Sequence, residues 1–295
     1  MERKKKLKLK YIILSLILII LFLISVVVLN INLDGEKTMY RMEEQLQSLE
    51  DISITKLREL SQKKLFFGHQ SVGFNIIDGI NDIMNDNPEL KLNFVEYNSL
   101  SDFNTSNFVH AIEGNNTEPD TKLDSFSEHI KEGIGGIADF AFLKLCYVDF
   151  NADSDINKIF DYYRSSMEQL KQSYPETTFI HLTAPIVSQK IDIITGIKNM
   201  IKRIIGKPVN EIYLSNIKRT QFNELMIETY EGKEPLFDLA RVESMFLDGK
   251  RQYHELNGNI YYSMIPEYTD DGGHLNEKGR RFVAEQFIIF LTGLL

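Results

Sequence analysis

A serine in a glycine-flanked turn is the first residue whose surroundings could support chemistry. The turn spans residues 68–73 (GHQSVG), follows a short apolar run typical of a strand, and precedes residues with helical spacing. Ser71 would then lie at the amino terminus of a helix, where the macrodipole and free backbone N–H groups stabilise an alkoxide or an oxyanion. The pattern therefore suits a nucleophile. The alternative is that Ser71 only caps the helix, a role that serine fills commonly.

A second stretch, close to the carboxyl terminus, supplies the partners that such a serine needs. Residues 270–276 read DDGGHLN, and the D-x-x-H spacing lets the Asp271 carboxylate fold back onto the His274 ring. A carboxylate on Nδ1–H fixes the histidine tautomer and leaves Nε2 free to take a proton from serine. The two glycines permit the tight turn. Because the two motifs together are much rarer than either alone, they favour nucleophilic catalysis over a simple helix cap.

These two stretches resemble those of the SGNH/GDSL hydrolase superfamily. Its members carry the nucleophile in the first strand-to-helix turn and the Asp and His as D-x-x-H near the carboxyl terminus, and the resemblance covers about residues 64–295. It implies that Ser71 is the nucleophile, that His274 is the general base and that Asp271 orients it. It also implies a flavodoxin-like fold and a mechanism without metal or organic cofactor.

Two blocks depart from the pattern of the superfamily. The usual G-D-S is one residue longer here, since Ser71 lies three residues after Gly68. The usual G-x-N-D appears as CYVD over residues 146–149, with Val148 where the oxyanion-hole asparagine would be. The oxyanion hole must therefore draw its donors from elsewhere in the chain.

The resemblance implies that the Ser71 backbone N–H is the first oxyanion donor. It also implies a second donor at Gly114, which lies where the superfamily places its oxyanion glycine. Asn116 is a further substitute donor in the same loop. Losing one donor from such a hole typically costs about 100-fold to 1,000-fold in turnover. His69 and Asp149 are weaker predictions as substrate contacts, and packing of the turn would explain His69 equally well.

The elements that must position these residues alternate between short apolar runs and longer helical patterns, which indicates a parallel sheet with covering helices. The five predicted strands are 65–68, 92–97, 138–147, 178–183 and 236–239. The predicted helices are 72–84, 123–131, 156–172, 209–230 and 277–291. The sequence therefore predicts a three-layer α/β/α domain with a five-stranded parallel sheet, and ligands bind at the carboxyl ends of such strands.

Two residues of the predicted strand 138–147, Lys144 and Cys146, stand out from its apolar pattern. Lys144 lies within the predicted strand 138–147, so we expect a structural ion pair, with Asp149, Asp238 or Glu243, more readily than substrate binding. Cys146, the single cysteine, reads as a small buried hydrophobe. The histidines outside the two motifs have no spacing that suggests a metal.

The amino-terminal residues predict a membrane anchor. Six basic side chains lie in residues 1–10, and residues 11–33 hold no ionisable group other than the Tyr11 phenol, a run long enough to cross a bilayer. Positive charge stays cytoplasmic, so the body should lie outside the membrane. Residues 34–63, with helical spacing of apolar positions, predict a helical stalk, and residues 64–295 form the hydrolase-like domain.

The charge of the chain limits its partners. The formal net charge is −9, and without the first ten residues it is −14, so the body repels phosphate backbones and nucleic acid is excluded as a partner. Residues 190–207 depart from this background with a net charge of +4 and apolar residues at helical spacing. This predicts a basic amphipathic helix, either a lid on an anionic surface beside the cleft or a helix packed on the domain.

Together the patterns predict a membrane-anchored, extracellular serine esterase that cleaves O-acyl esters through an acyl-enzyme. The expected partners are the membrane and an acylated cell-surface glycan or acyl lipid. The same residues could serve an O-acyltransferase that passes the acyl group to a sugar hydroxyl. A non-catalytic binding domain on the same fold is the third alternative, motivated by Val148 and the irregular first block.

Overall fold

The computed structural model of the chain describes residues 39–42, 47–188, 214–256 and 259–295. The chain divides into two compact units, and the elements given below belong to the unit of residues 40–190 and 211–295, apart from Met39. The predicted tail, anchor and basic helix, residues 1–10, 11–33 and 190–207, lie outside the described residues. Within the described ranges no helix is long and apolar enough to cross a bilayer.

Nine strands and seven α-helices occur in the described part of the chain. The strands are β1 (Met39–Met42), β2 (Leu65–His69), β3 (Phe94–Glu96), β4 (Phe108–Ile112), β5 (Phe140–Leu143), β6 (Thr178–Leu182), β7 (Leu236–Phe237), β8 (Lys250–Leu256) and β9 (Asn259–Tyr262). The helices are α1 (Ile54–Leu60), α2 (Val72–Asp86), α3 (Pro119–Lys131), α4 (Ile156–Ser173), α5 (Leu214–Tyr230), α6 (Leu239–Glu243) and α7 (Glu277–Gly293).

The central sheet has six strands in the order β3-β4-β2-β5-β6-β7, and its neighbouring strands are parallel. The α/β class with a parallel sheet is therefore confirmed, but the predicted number of five strands is wrong. The additional strand is β4, which pairs residue by residue with β2 from Phe108 opposite Leu65 to Ile112 opposite His69. Without the edge strand β3 the order is 2-1-3-4-5, as in flavodoxin-like folds.

Helices cover both faces of this sheet because successive strand residues point to opposite sides. Phe67 points into the core beneath α1, α2, α6 and α7, whereas Phe66 points into the core beneath α3, α4 and α5. Both phenylalanines are fully buried. The result is the three-layer α/β/α arrangement that the sequence predicts.

The packing of α2 against α7 decides where the two motifs meet. Gly79 of α2 permits close contact, since a Cβ there would come within 2.2 Å of the Arg280 carbonyl oxygen. Arg280 also pairs with Asp82 at 2.8 Å. Just before α7, the Leu275 N–H donates to Asn75 Oδ1 at 3.2 Å. Asn75 and Gly79 follow one another along α2 in the same order as their contacts, Leu275 and Arg280, follow one another along the chain. The two helices therefore run parallel and start at the same edge of the sheet.

The segment predicted as a helical stalk, residues 34–63, differs from that prediction in its described part. Residues Met39–Met42 form β1, which lies beside β8 in a small sheet with the order β1-β8-β9 that the sequence patterns do not reveal. Among the described residues of this segment, α1 is the only α-helix, and its Leu57 and Leu60 are buried in the core of the domain. The residues after 47 are therefore part of the folded body.

Candidate active site

Ser71 occupies a backbone conformation that side chains rarely adopt. It directly precedes α2, with φ 23° and ψ −85°, and its side chain makes no capping hydrogen bond to the helix. Holding a residue other than glycine in such a conformation costs of order 1–3 kcal/mol and is found mostly at functional sites. The simple capping role does not describe this serine, because its hydroxyl is not used to satisfy the helix.

The turn around Ser71 is tight for a reason that the sequence contains. The Gly73 N–H donates to the Gln70 carbonyl at 2.8 Å, and a Cβ at Gly73 would approach the His69 ring within 2.3 Å. Only glycine fits above that ring. His69 itself is fully buried and its Nε2 lies 3.1 Å from His110 Nδ1, in the core rather than at the surface. Burial lowers the pKa of both histidines.

Asp271 and His274 form the dyad that their spacing predicts. Asp271 Oδ2 lies 2.6 Å from His274 Nδ1, while Oδ1 accepts the backbone N–H groups of Gly273 at 2.9 Å and His274 at 2.8 Å. The carboxylate therefore both folds the loop and orients the ring. Burial alone raises the pKa of Asp271, but the hydrogen bonds from the loop N–H groups and from His274 outweigh it and hold the pKa well below its usual value.

Two contacts bring the dyad loop to the carboxyl edge of the sheet. The Leu275 N–H binds Asn75, which lies one helical turn after Ser71 on the same face of α2. The Tyr147 ring, in the turn that follows β5, packs edge-on against His274 with ring centroids 5.6 Å apart. Gly273 permits this contact, since a Cβ there would lie 2.7 Å from the Tyr147 ring. Ser71 and His274 thus border the same edge, and their pairing as nucleophile and base stays a prediction.

Gly114 lies in the loop after β4, the strand that the sequence patterns miss. Its φ is +49°, which favours glycine, and a Cβ there would come within 2.5 Å of the backbone of Thr121 and Lys122 at the start of α3. Among the described residues, neither the Gly114 N–H nor the Ser71 N–H has a hydrogen-bond acceptor. Two backbone donors are therefore available for an oxyanion. Asn116 is exposed, and its Oδ1 accepts from Lys122 Nζ at 3.2 Å.

Asp149 is occupied by structural contacts. Its two carboxylate oxygens both lie 2.7 Å from Lys122 Nζ, and both side chains of this ion pair are fully buried. The same oxygens accept the N–H groups of Thr117 at 2.9 Å and Cys146 at 2.7 Å. Asp149 thereby ties the loop of Gly114 to the turn that follows β5. Its contact with substrate stays a prediction.

Lys144 does not pair with Asp149, because Lys122 holds that carboxylate. Its Nζ is buried and lies 3.4 Å from Cys146 Sγ and from the Leu145 carbonyl. Of the three acids that the sequence offered, Glu243 is fully buried, and burial raises its pKa to about 8 although Lys144 and Arg219 lower it. Within the described residues no group of His, Cys, Asp and Glu side chains could hold a metal ion.

Four residues of the site were not predicted from the sequence: Gln70, Asn75, Lys122 and Tyr147. Asn75 carried a usable signal, since its spacing of four residues from Ser71 puts both on one helical face. The others contact groups that are distant in the sequence. The strand order and the places of Ser71, Asp271 and His274 agree with the SGNH/GDSL fold predicted from the two motifs.

No protein-family model matches the sequence, and no curated protein matches it. Similar solved structures include a protein described as a platelet activating factor from Streptococcus pneumonia, with 18% identity, 81% of this chain and 90% of that chain covered, and a TM-score of 0.43. A GDSL-like lipase from Bacteroides thetaiotaomicron VPI-5482 has 11% identity, 80% and 91% coverage and a TM-score of 0.47. The periplasmic domain of a Salmonella ser. Paratyphi A lipopolysaccharide acetyltransferase has 12% identity, 77% and 83% coverage and a TM-score of 0.40.

Proposed function

We propose that the chain is a serine esterase that cleaves O-acyl esters through an acyl-enzyme on Ser71. One observation carries the proposal: a strained, uncapped serine starts a helix whose next turn, at Asn75, binds the loop that presents the Asp271–His274 dyad. A serine used only as a cap needs neither the strain nor the dyad. The arrangement matches the roles of nucleophile, base and orienting acid.

In the first step, Ser71 Oγ attacks the acyl carbonyl carbon while its proton passes to His274 Nε2. Asp271, held ionised by its lowered pKa, accepts the Nδ1–H bond and stabilises the imidazolium that forms. The carbonyl oxygen gains the negative charge of the tetrahedral intermediate. The N–H groups of Ser71 and Gly114 stabilise that charge, since they have no acceptor in the described chain.

Collapse of the intermediate breaks the ester C–O bond. His274 returns its proton to the leaving alkoxide, which departs as an alcohol, and the acyl group stays on Ser71. A water molecule then attacks the acyl carbon and gives its proton to His274. The second intermediate breaks the bond between the acyl carbon and Ser71 Oγ and releases the carboxylic acid, while His274 returns the proton to Oγ. The cycle needs no electron acceptor and no cofactor.

The substrate of the proposal is an acylated cell-surface glycan, with acyl lipids as the other class to test. The proposal rests on the anchor predicted at residues 11–33, the cytoplasmic charge of residues 1–10 and the resulting extracellular place of the domain. An enzyme tethered there meets surface polymers and lipids rather than soluble metabolites.

The function is tested with full-length protein and p-nitrophenyl acetate, followed by O-acetylated glycan and by acyl lipid. Wild type should release p-nitrophenol. The hydrolysis rate of Ser71→Ala should exceed the rate without enzyme by at most about 1,000-fold to 10,000-fold, which is the catalysis that remains when a triad member is lost. Ser165→Ala, which removes an exposed serine hydroxyl on α4, is the matched control and should keep full activity. Equal activity of wild type and Ser71→Ala would contradict the proposal.

The partition of the acyl group separates an esterase from an acyltransferase on the same residues. Wild type is supplied with an acyl donor, with and without glycan, and free acid and acylated glycan are measured. An esterase gives free acid in both mixtures. Acylated glycan as the main product would show an O-acyltransferase instead of an esterase. Absence of any acyl-enzyme would favour the non-catalytic alternative.

The extracellular place of the domain is tested by thiol labelling. Cys146 is the single cysteine of the chain and is buried, so it gives little background. Asp153→Cys places a thiol at an exposed position. A maleimide that cannot cross membranes should label this variant in intact cells to the same extent as after lysis. Labelling only after lysis would contradict the proposed orientation.

A further inference from the structure

We propose that Gln70 is a positioning residue that orients the Gly114 N–H as the second oxyanion donor. Its side-chain Nε2 donates to the carbonyl oxygens of Glu113 at 2.8 Å and of Gly114 at 2.6 Å. Gln70 directly precedes Ser71, so one residue links the turn of the nucleophile to the loop after β4. The inference rests on the proposed esterase function. It adds a role for Gln70, one of the two residues that lie between Gly68 and Ser71 where G-D-S has only one.

The direction of the Gly114 N–H follows from the planarity of the peptide unit. In a trans peptide the carbonyl of Glu113 and the N–H of Gly114 point in opposite directions, so binding the carbonyl oxygen fixes the N–H. The second hydrogen bond holds the next peptide unit at the Gly114 carbonyl. With both units held, Gly114 cannot rotate its N–H without breaking a hydrogen bond to Gln70.

The neighbouring donors of the loop are already committed. The Glu113 N–H donates to the His69 carbonyl at 3.0 Å, and the Asn115 N–H donates to Thr121 Oγ1 at 2.9 Å. Between them, the Gly114 N–H has no acceptor among the described residues. This is the pattern expected of a donor kept free for a ligand rather than one consumed by the fold.

The far side of the loop is fixed by the Glu113 side chain. This carboxylate is fully buried and accepts from Ser125 Oγ at 2.5 Å, while its other oxygen lies 3.0 Å from His129 Nδ1, both on α3. The contact with His129 raises the pKa of that histidine, although burial opposes it. With α3 holding one side of the loop, Gln70 is the contact that sets its orientation towards Ser71.

The chemistry of glutamine suits this task because its amide nitrogen carries two protons, one for each carbonyl. A glutamate in its place would present only acceptors to two carbonyl oxygens when ionised. A methionine has a similar length and no donor. The variants Gln70→Glu and Gln70→Met therefore remove the two hydrogen bonds while keeping the size of the side chain.

The test measures kcat and KM for p-nitrophenyl acetate, the affinity for a boronic acid that mimics the tetrahedral intermediate, and the thermal midpoint. For Gln70→Met we expect kcat to fall about 10-fold to 100-fold, less than the 100-fold to 1,000-fold typical of deleting a donor, because the N–H is misdirected rather than absent. KM should change by less than about 2-fold, since the lost interaction belongs to the transition state. Affinity for the boronic acid should fall by the same factor as kcat.

Gln62→Met, at an exposed glutamine in the turn after α1, is the matched control and should leave all four quantities unchanged. Gln70→Glu provides a second arm if Gln70→Met folds poorly. A protonated carboxyl can donate one hydrogen bond, so the ratio of its kcat to that of wild type should rise as the pH falls from about 8 to 5.

Two outcomes would overturn the inference while leaving the proposed function intact. In one, folded Gln70→Met keeps kcat and boronic acid affinity within about 2-fold of wild type. In the other, the ratio for Gln70→Glu does not change with pH. If wild type shows no turnover and no labelling of Ser71, the proposed function itself fails, and this inference fails with it.

Discussion

Replacing Ser71 by glycine should stabilise the protein while abolishing its activity. The φ of 23° at Ser71 is strained for any side chain, at a cost of about 1–3 kcal/mol. Glycine avoids that cost but loses about 0.5–1 kcal/mol more backbone entropy on folding. The difference predicts that Ser71→Gly is up to about 2.5 kcal/mol more stable than Ser71→Ala, which keeps the Cβ and loses the same hydroxyl.

The assay is urea unfolding of the full-length protein at 25 °C, followed by circular dichroism. Two control pairs set the scale. Ser165 lies inside α4, where glycine should be about 1 kcal/mol less stable than alanine, the opposite sign. Ser53 caps α1 through the Lys56 N–H, so Ser53→Ala should cost about 1 kcal/mol, whereas Ser71→Ala should cost little because no capping bond is lost.

The reasoning is refuted if Ser71→Gly is less stable than Ser71→Ala, or if Ser71→Ala costs as much as Ser53→Ala. Either result would mean that Ser71 is an ordinary helix cap without stored strain. The expected result, higher stability with no turnover, would mean that the chain accepts a less stable turn to hold this hydroxyl.

Three further predictions concern the Asp271–His274 dyad, the Asn75 contact and the buried Glu243. Asp271→Asn should lower kcat by about 10³-fold to 10⁴-fold with little loss of folding, because Oδ1 can still accept the loop N–H groups while the amide faces His274 Nδ1 with the wrong polarity; steady-state kinetics and the thermal midpoint check this. Asn75→Ala removes the acceptor of the Leu275 N–H and should lower kcat more than it raises KM, and equal kcat in a folded variant would contradict the proposed link between α2 and the dyad loop. Burial raises the pKa of Glu243 from 4.5 to about 8, so its protonated form favours folding below about 4.5 and this contribution is lost as the pH rises through 8; the free energy of unfolding of wild type relative to Glu243→Gln should therefore fall between about pH 5 and 9, and a constant difference would contradict the raised pKa.

The sequence carried the fold class because hydrophobic periodicity is local. The strands β2, β5 and β6 are buried on both faces and appear in the sequence as short, nearly continuous apolar runs. The helices α2 and α7 show apolar residues at helical spacing. Both patterns can be recognised without knowledge of the rest of the chain. The strand β4 was missed because its five residues include a histidine and follow a stretch of Ser, Asn and Thr that reads as a loop. That omission accounts for the wrong strand count.

The site was predictable where the signal is a spacing and not where it is a distant contact. The D-x-x-H spacing led to the contact between Asp271 and His274, now seen at 2.6 Å. The hydrogen bonds of Gln70 to the loop of Gly114 depend on two strands being neighbours, which no local pattern encodes. Asp149 pairs with Lys122, which lies 27 residues away in the sequence, and not with Lys144, and no local pattern reveals this contact.

The most direct test of the central claim is the site of covalent labelling by a fluorophosphonate, read by mass spectrometry of peptides. If His274 activates the serine hydroxyl, wild type should carry the phosphonyl group on Ser71, and His274→Ala should carry little or none. Modification of another residue, or equal modification of Ser71 in His274→Ala, would contradict the account.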